Sequence, residues 1–140
     1  MSLPELTSAQ IDDLVRKSID ARDQAYAPHS QFHVGAALML MDDTILLGCN
    51  VENASYSLTI CAERVAASTA VAAGHRQWKG IAIASVGGVS PCGACRQFLA
   101  EFGLDIPVIM VNVTDGLRRI QQLSKLLPDA FDASNLPGHA

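Results

Sequence analysis

Two short segments of this chain carry residue types able to do chemistry: Cys61-Ala62-Glu63 and, thirty residues further on, Pro91-Cys92-Gly93-Ala94-Cys95. Each stands at the predicted start of a helix, where unpaired N–H groups and the helix dipole favour thiolate over thiol. Cys92 and Cys95, three residues apart on one helical face, can converge on a single ion, and Phe98, Leu99 and Phe102 continue that face into the interior. Zinc is tetrahedral, so three thiolates at about 2.3 Å leave its fourth position open, as in catalytic rather than structural sites. Zinc bound in this way makes water usable for hydrolysis near neutral pH. Three thiolates also concentrate negative charge. Arg64 and Arg96, which directly follow the two segments, are the candidates to offset it by hydrogen bonding a ligand sulfur. Glu63, two residues after a ligand, suits a general base that does not itself bind the metal.

Competing readings of the same residues are weaker. Cys49 would complete a structural four-cysteine zinc site, but that leaves Glu63, Arg64 and the polar Asn50-Val51-Glu52 segment without a purpose. A redox C-x-x-C leaves Cys61 without one. Cys49 is therefore read as an inert buried thiol. His29, His33, His75 and His139 show no ligand spacing relative to the cysteines and are read as non-ligands.

The elements that must position these groups follow from pattern. Thr7 and Gln10 form a capping box ahead of Ile11, Leu14, Val15 and Ile19, which share one helical face, and Pro28 ends the run. Residues 34–41 and 44–49 read as a hairpin turning at Asp42-Asp43. A second helix, residues 60–73, is apolar nearly all round and stopped by Gly74, so it is expected to be buried on every side. Residues 80–85 and 106–113 read as apolar strands. Ser90 and Pro91 between them read as N-cap and first residue of a third helix, terminated by Gly103. Residues 117–121 read as a short last strand and 123–127 as a short helix. Strands alternating with helices after a hairpin indicate an α/β layered fold with a mixed sheet.

Composition narrows the field. Over 140 residues, 49% are apolar, only 5% aromatic and 17% charged, against about 25% charged in an average soluble domain. Such a chain buries a core, which excludes disorder. Its apolar runs fall far short of the ~18 residues of a membrane span. Residues 1–13 have no basic start followed by an apolar run, so the expected compartment is the cytoplasm. The net charge of −4 lacks the basic cluster that DNA or RNA would require, which favours a small substrate. Apolar excess on a charge-poor chain further points to self-association.

Pairing C-x-E with P-C-x-x-C is the pattern of zinc nucleobase deaminases. The chain resembles the small, homotetrameric, zinc-dependent cytidine deaminases over nearly its whole length. The likeness rests on Phe32-His33-Val34-Gly35-Ala36-Ala37, Gly48-Cys49-Asn50-Val51-Glu52-Asn53-Ala54-Ser55-Tyr56, Cys61-Ala62-Glu63-Arg64, Ser90-Pro91-Cys92-Gly93-Ala94-Cys95-Arg96-Gln97 and Leu126-Leu127-Pro128. The loop at residues 86–89 is a few residues shorter than is usual in that family. The resemblance implies a single catalytic domain over residues 1–140, built as a three-layer α/β/α sandwich on a mixed sheet of about five strands. It implies that Cys61, Cys92 and Cys95 hold one Zn²⁺ per subunit, that Glu63 shuttles protons and that Arg64 compensates thiolate charge. It further implies that Phe32 packs on the pyrimidine, that backbone groups of Ala62 and Ser90 hold the base edge, and that Asn50 and Glu52 bind the ribose 3′-hydroxyl. Ala54 and Tyr56 would approach the sugar in a neighbouring subunit, and Phe131 would reach over a neighbour's site.

The expected activity is hydrolytic deamination of cytidine and 2′-deoxycytidine in pyrimidine salvage, by a homotetramer without nucleic-acid or membrane partners. Rivals are a deaminase of another aminopyrimidine nucleoside such as blasticidin S and, from a different class, a non-enzymatic Cys₄ zinc-stabilised binding module.

Overall fold

A computed structural model describes residues 5–138. His139, read above as a non-ligand, lies outside the described residues. Five strands form one sheet in the order β2-β1-β3-β4-β5: β1 is Gly35–Leu40, β2 Ile45–Cys49, β3 Trp78–Ser85, β4 Pro107–Asn112 and β5 Arg118–Gln122. Only β3 and β4 run parallel; every other neighbouring pair is antiparallel. Helices α1 (Ser8–Ala21), α2 (Ala62–Ala72), α3 (Gly93–Ala100) and α4 (Leu123–Leu126) complete the fold. Among the described residues no helix is long and apolar enough to cross a membrane.

Period-two alternation along the central strands sends successive side chains to opposite faces and makes two cores. Ala37, Met39, Ala82, Ala84, Ile109 and Val111 meet Leu14 and Val15 of α1 on one face. Ala36, Leu38, Ile81, Ile83, Val108 and Met110 meet Ala62, Ala66, Ala67 and Ala70 of α2 and Leu99 of α3 on the other. The result is the three-layer α/β/α arrangement on a mixed five-stranded sheet that the resemblance implies.

Local signals behave largely as read. Thr7 caps α1, and Gln10 returns the bond to the Thr7 backbone. The hairpin turns through Asp43 at φ 73°. Gly74, at φ 92°, follows the C-cap of α2. Three expectations need correction. First, α1 stops at Ala21, and Arg22–Gln24 tighten into a 3-10 turn, which frees Tyr26 to pair with Val51. Second, α2 is not buried all round: Ser68, Thr69 and Ala72 are exposed, because a helix lying on one face of a sheet has only one side covered. Third, α3 begins at Gly93 with Cys92 as its N-cap, two residues after the Ser-Pro start. The first helical bond runs from the Arg96 N–H to the Cys92 carbonyl, and the Ser90 hydroxyl accepts from the Arg96 side chain instead of capping. That helix closes at Glu101, ahead of Gly103.

Candidate active site

Helices α2 and α3 lie on the same face of the sheet and begin beside one another, with Cys61 and Cys92 as their N-caps. Close approach of α2 is possible because β2 presents Gly48 to it. A Cβ there would stand 2.4 Å from the Ala62 carbonyl oxygen and 2.5 Å from the Ala66 nitrogen. The sulfurs of Cys61, Cys92 and Cys95 all lie within 4.8 Å of one another. Cys61 and Cys92 Sγ are 3.9 Å apart. Tetrahedral zinc with thiolates at about 2.3 Å requires sulfur separations of roughly 3.8 Å, so the donor set fits zinc in number, chemistry and spacing. Cys95 is buried, Cys61 half-buried and Cys92 exposed.

Electrostatics at this corner differ from one thiol to the next. A hydrogen bond from Cys95, followed by the contacts of Arg64, holds the Cys61 thiol down to about 5. The same Cys61–Cys95 interaction, added to burial and the charge of Glu63, pushes Cys95 upward. Arg64 Nη2 donates to Cys61 Sγ at 3.5 Å, and that bond raises the affinity of the guanidinium for its proton. Glu63 is only 4% exposed, and burial pushes its carboxyl above the usual range.

These groups border a cavity of about 220 Å³ lined by Phe32, Val34, Asn50, Thr59, Cys61, Ala62, Glu63, Ile83, Val89, Ser90 and Cys92. Seven of the expected site residues therefore share one hollow: Phe32, Asn50, Cys61, Ala62, Glu63, Ser90 and Cys92. Thr59, Val34, Ile83 and Val89 were not singled out in the sequence. Val34, Thr59 and Val89 flank predicted site residues within two positions, whereas Ile83 of β3 reaches the cavity only through the packing of the sheet. The Asn50 amide is buried and engaged, accepting from the Val34 N–H at 3.0 Å and donating to the Phe32 carbonyl at 2.8 Å.

Other expected residues stand elsewhere. Glu52 and Tyr56 line an adjoining hollow with His29, Ser30 and Thr59, and the two hollows meet at Thr59. The Glu52 carboxylate accepts from the backbone N–H of His29 and Ser30 at 2.9 and 3.1 Å and from the Ser30 hydroxyl, which lowers its pKa. Ala54 is exposed, and the Tyr56 ring, 77% exposed, meets His29 edge to face. Phe131 lines a third hollow with Ala100 and Glu101 at the end of α3. Arg96 donates to oxygen acceptors only, so the sulfur contact falls to Arg64 alone of the two arginines. Cys49 donates to the Gln24 carbonyl and stays outside the thiol cluster, so no four-cysteine arrangement forms among the described residues. His29, His33 and His75 are likewise absent from it.

Comparison with known proteins gives a consistent picture. Residues 8–111 match the family model described as the cytidine and deoxycytidylate deaminase zinc-binding region. The cytidine deaminase of Sporosarcina psychrophila is 46% identical over 129 residues, covering 90% of this chain and 94% of its own. A probable cytidine deaminase of Dictyostelium discoideum is 40% identical, covering 94% and 90% respectively. The crystal structure of the Burkholderia pseudomallei cytidine deaminase superposes with a TM-score of 0.84 at 44% identity, over 90% of this chain and all of that one.

Proposed function

Because the chain belongs to the zinc-binding cytidine and deoxycytidylate deaminase family, we propose that it hydrolyses cytidine and 2′-deoxycytidine to uridine and 2′-deoxyuridine with release of ammonia. The observation that carries this reading is a buried carboxyl, Glu63, beside three converging thiols at the wall of a largely apolar cavity. Cys61, Cys92 and Cys95 would hold zinc, which when bound supplies Lewis acidity and lowers the pKa of water beside it. Glu63 moves the protons: it takes one from the attacking water and delivers it to pyrimidine N3, then takes a second from the new C4 hydroxyl and passes it to the 4-amino group, which leaves as ammonia. Its raised affinity for a proton suits a group that must both accept and donate near neutral pH.

Phe32 packs on the pyrimidine, and backbone groups of Ala62 and Ser90 hold its polar edge. Asn50 and Glu52 address the ribose 3′-hydroxyl, which both nucleosides carry. Asn50 retains one amide hydrogen after its bond to Phe32, and the Glu52 carboxylate retains acceptor capacity, so both can take part. Among the described residues no lysine or arginine lines the cavity, which favours a nucleoside over a 5′-phosphorylated substrate. Residues 1–140 act as one catalytic domain. It works as a homotetramer in cytoplasmic pyrimidine salvage, in which Ala54, Tyr56 and Phe131 serve neighbouring subunits.

Loss of the cytidine ultraviolet band reads the reaction directly. Cytidine and deoxycytidine are expected to turn over, while cytosine, blasticidin S and deoxycytidine monophosphate are poor substrates; inactivity on both nucleosides overturns the reading. Glu63→Ala keeps one zinc per chain and loses activity by about 10³-fold, within the span of general acid–base catalysis. Cys49→Ser keeps the metal; its release would instead restore the four-cysteine module.

A further inference from the structure

Resting on the reading above, we propose that Arg96 is a positioning residue that holds the 90–92 segment, one wall of the substrate cavity, in its working shape. That segment needs outside support. Ser90 and Pro91 precede the first turn of α3, so helix hydrogen bonds reach only the Cys92 carbonyl, which accepts from the Arg96 N–H, and Pro91 has no N–H to contribute. Arg96 lies four residues past Cys92, and its side chain turns back along the segment. Nε donates to the Pro91 carbonyl at 2.8 Å and Nη2 to the Ser90 hydroxyl at 2.7 Å. Nη1 donates to the Leu126 carbonyl at 2.6 Å. Leu126 ends α4, which packs on α3 and β5 and whose first residue, Leu123, is fully buried in the core on that face of the sheet. The guanidinium thus ties the wall to a fixed point of the fold through three oxygens in two segments.

Among the described residues no carboxylate pairs with Arg96. Its charge goes entirely into bonds with neutral acceptors, which strengthens each of them. The planar fork, with donors fixed at set angles, matches three diverging oxygens in a way that the single ammonium of lysine cannot. Ser90 borders the cavity and Cys92 borders it on the metal side. Arg96 therefore acts on substrate through Ser90 without touching it.

The test compares zinc-loaded wild type with Arg96→Ala and Arg96→Lys, expressing kcat per bound zinc. KM for cytidine rises about tenfold in both variants, the scale of one lost charge-assisted hydrogen bond. The change in kcat stays within about threefold, since Glu63 and the ligand set are kept. Amide hydrogen exchange accelerates in the peptide spanning residues 88–92 and stays unchanged in β1 and β3. Added guanidinium ion lowers KM in Arg96→Ala and does nothing for wild type. The proposal falls if KM and local exchange are unchanged, if exchange rises evenly across the sheet without a guanidinium response, or if lysine restores KM in full. Should Arg96→Ala not fold, exchange and KM in Arg96→Lys decide alone. Should wild type leave cytidine untouched, the functional reading fails, while local exchange and its response to guanidinium still decide the role of Arg96.

Discussion

Phe32 shows how a partly exposed side chain is aimed by its backbone. Its ring is 39% exposed at the cavity, too open for packing alone to fix it. The N–H of Phe32 donates to Ser30 Oγ at 3.0 Å, and that hydroxyl donates to Glu52. On the other side its carbonyl accepts from Asn50. Between these holds, Gln31 takes a left-handed backbone at φ 60°. Asn50 and Glu52, assigned from resemblance to the sugar, thus also clamp the residue assigned to the base. Ser30→Ala cuts the link between Glu52 and Phe32 without emptying any core space. Steady-state kinetics should show KM up by about three- to tenfold with kcat little changed, as expected when a binding contact loses its support. A thermal melt should move by no more than a few degrees, since the bonds lost are exposed.

At the scale of elements, contact between β2 and α2 sets where Cys61, Ala62 and Glu63 stand. Gly48→Ala would drive a methyl group into the α2 backbone, so the helix start must shift. Destabilisation of about 1–3 kcal/mol in urea unfolding is expected, as for overpacking elsewhere. Weaker zinc retention against a chelator should accompany it, because Cys61 moves with the helix while Cys92 and Cys95 do not. What could be read in advance divides along the same line. The α1 cap, the hairpin and the short motifs Cys61-Ala62-Glu63 and Cys92-Gly93-Ala94-Cys95 were legible because each depends on neighbours a few residues away. The meeting of the two motifs across 31 residues came instead from their pairing as a family pattern. The start of α3 was misread because Ser-Pro looks like a cap wherever no arginine competes for the serine hydroxyl. The open side of α2 was missed because an alanine-rich helix has the same pattern whether one or two sides are covered. The separation of Glu52 and Phe131 from the main cavity follows from loop paths that spacing cannot encode.

For the whole molecule, the scarcity of charge noted at the outset reappears as exposed apolar surface. Val51, Tyr56, Leu58 and Ile60 are all exposed within one ten-residue stretch, and Val86, Val89 and Phe131 are exposed as well. Surface of this kind suits subunit faces. Gel filtration at micromolar concentration should return an assembly of about four chains, and a monomer would contradict that. The course of the chain between the ligands has a consequence of a different kind. Cys61 belongs to the first half and Cys92 with Cys95 to the second, and the link from α2 to β3 passes through the exposed residues Ala73, Gly74, Arg76 and Gln77. The β1–β3 ladder and the thiol cluster both span that link. A protein divided there becomes two complementary fragments whose reunion is gated by metal: each piece alone lacks a full ligand set, and adding zinc to the mixture should drive them back together.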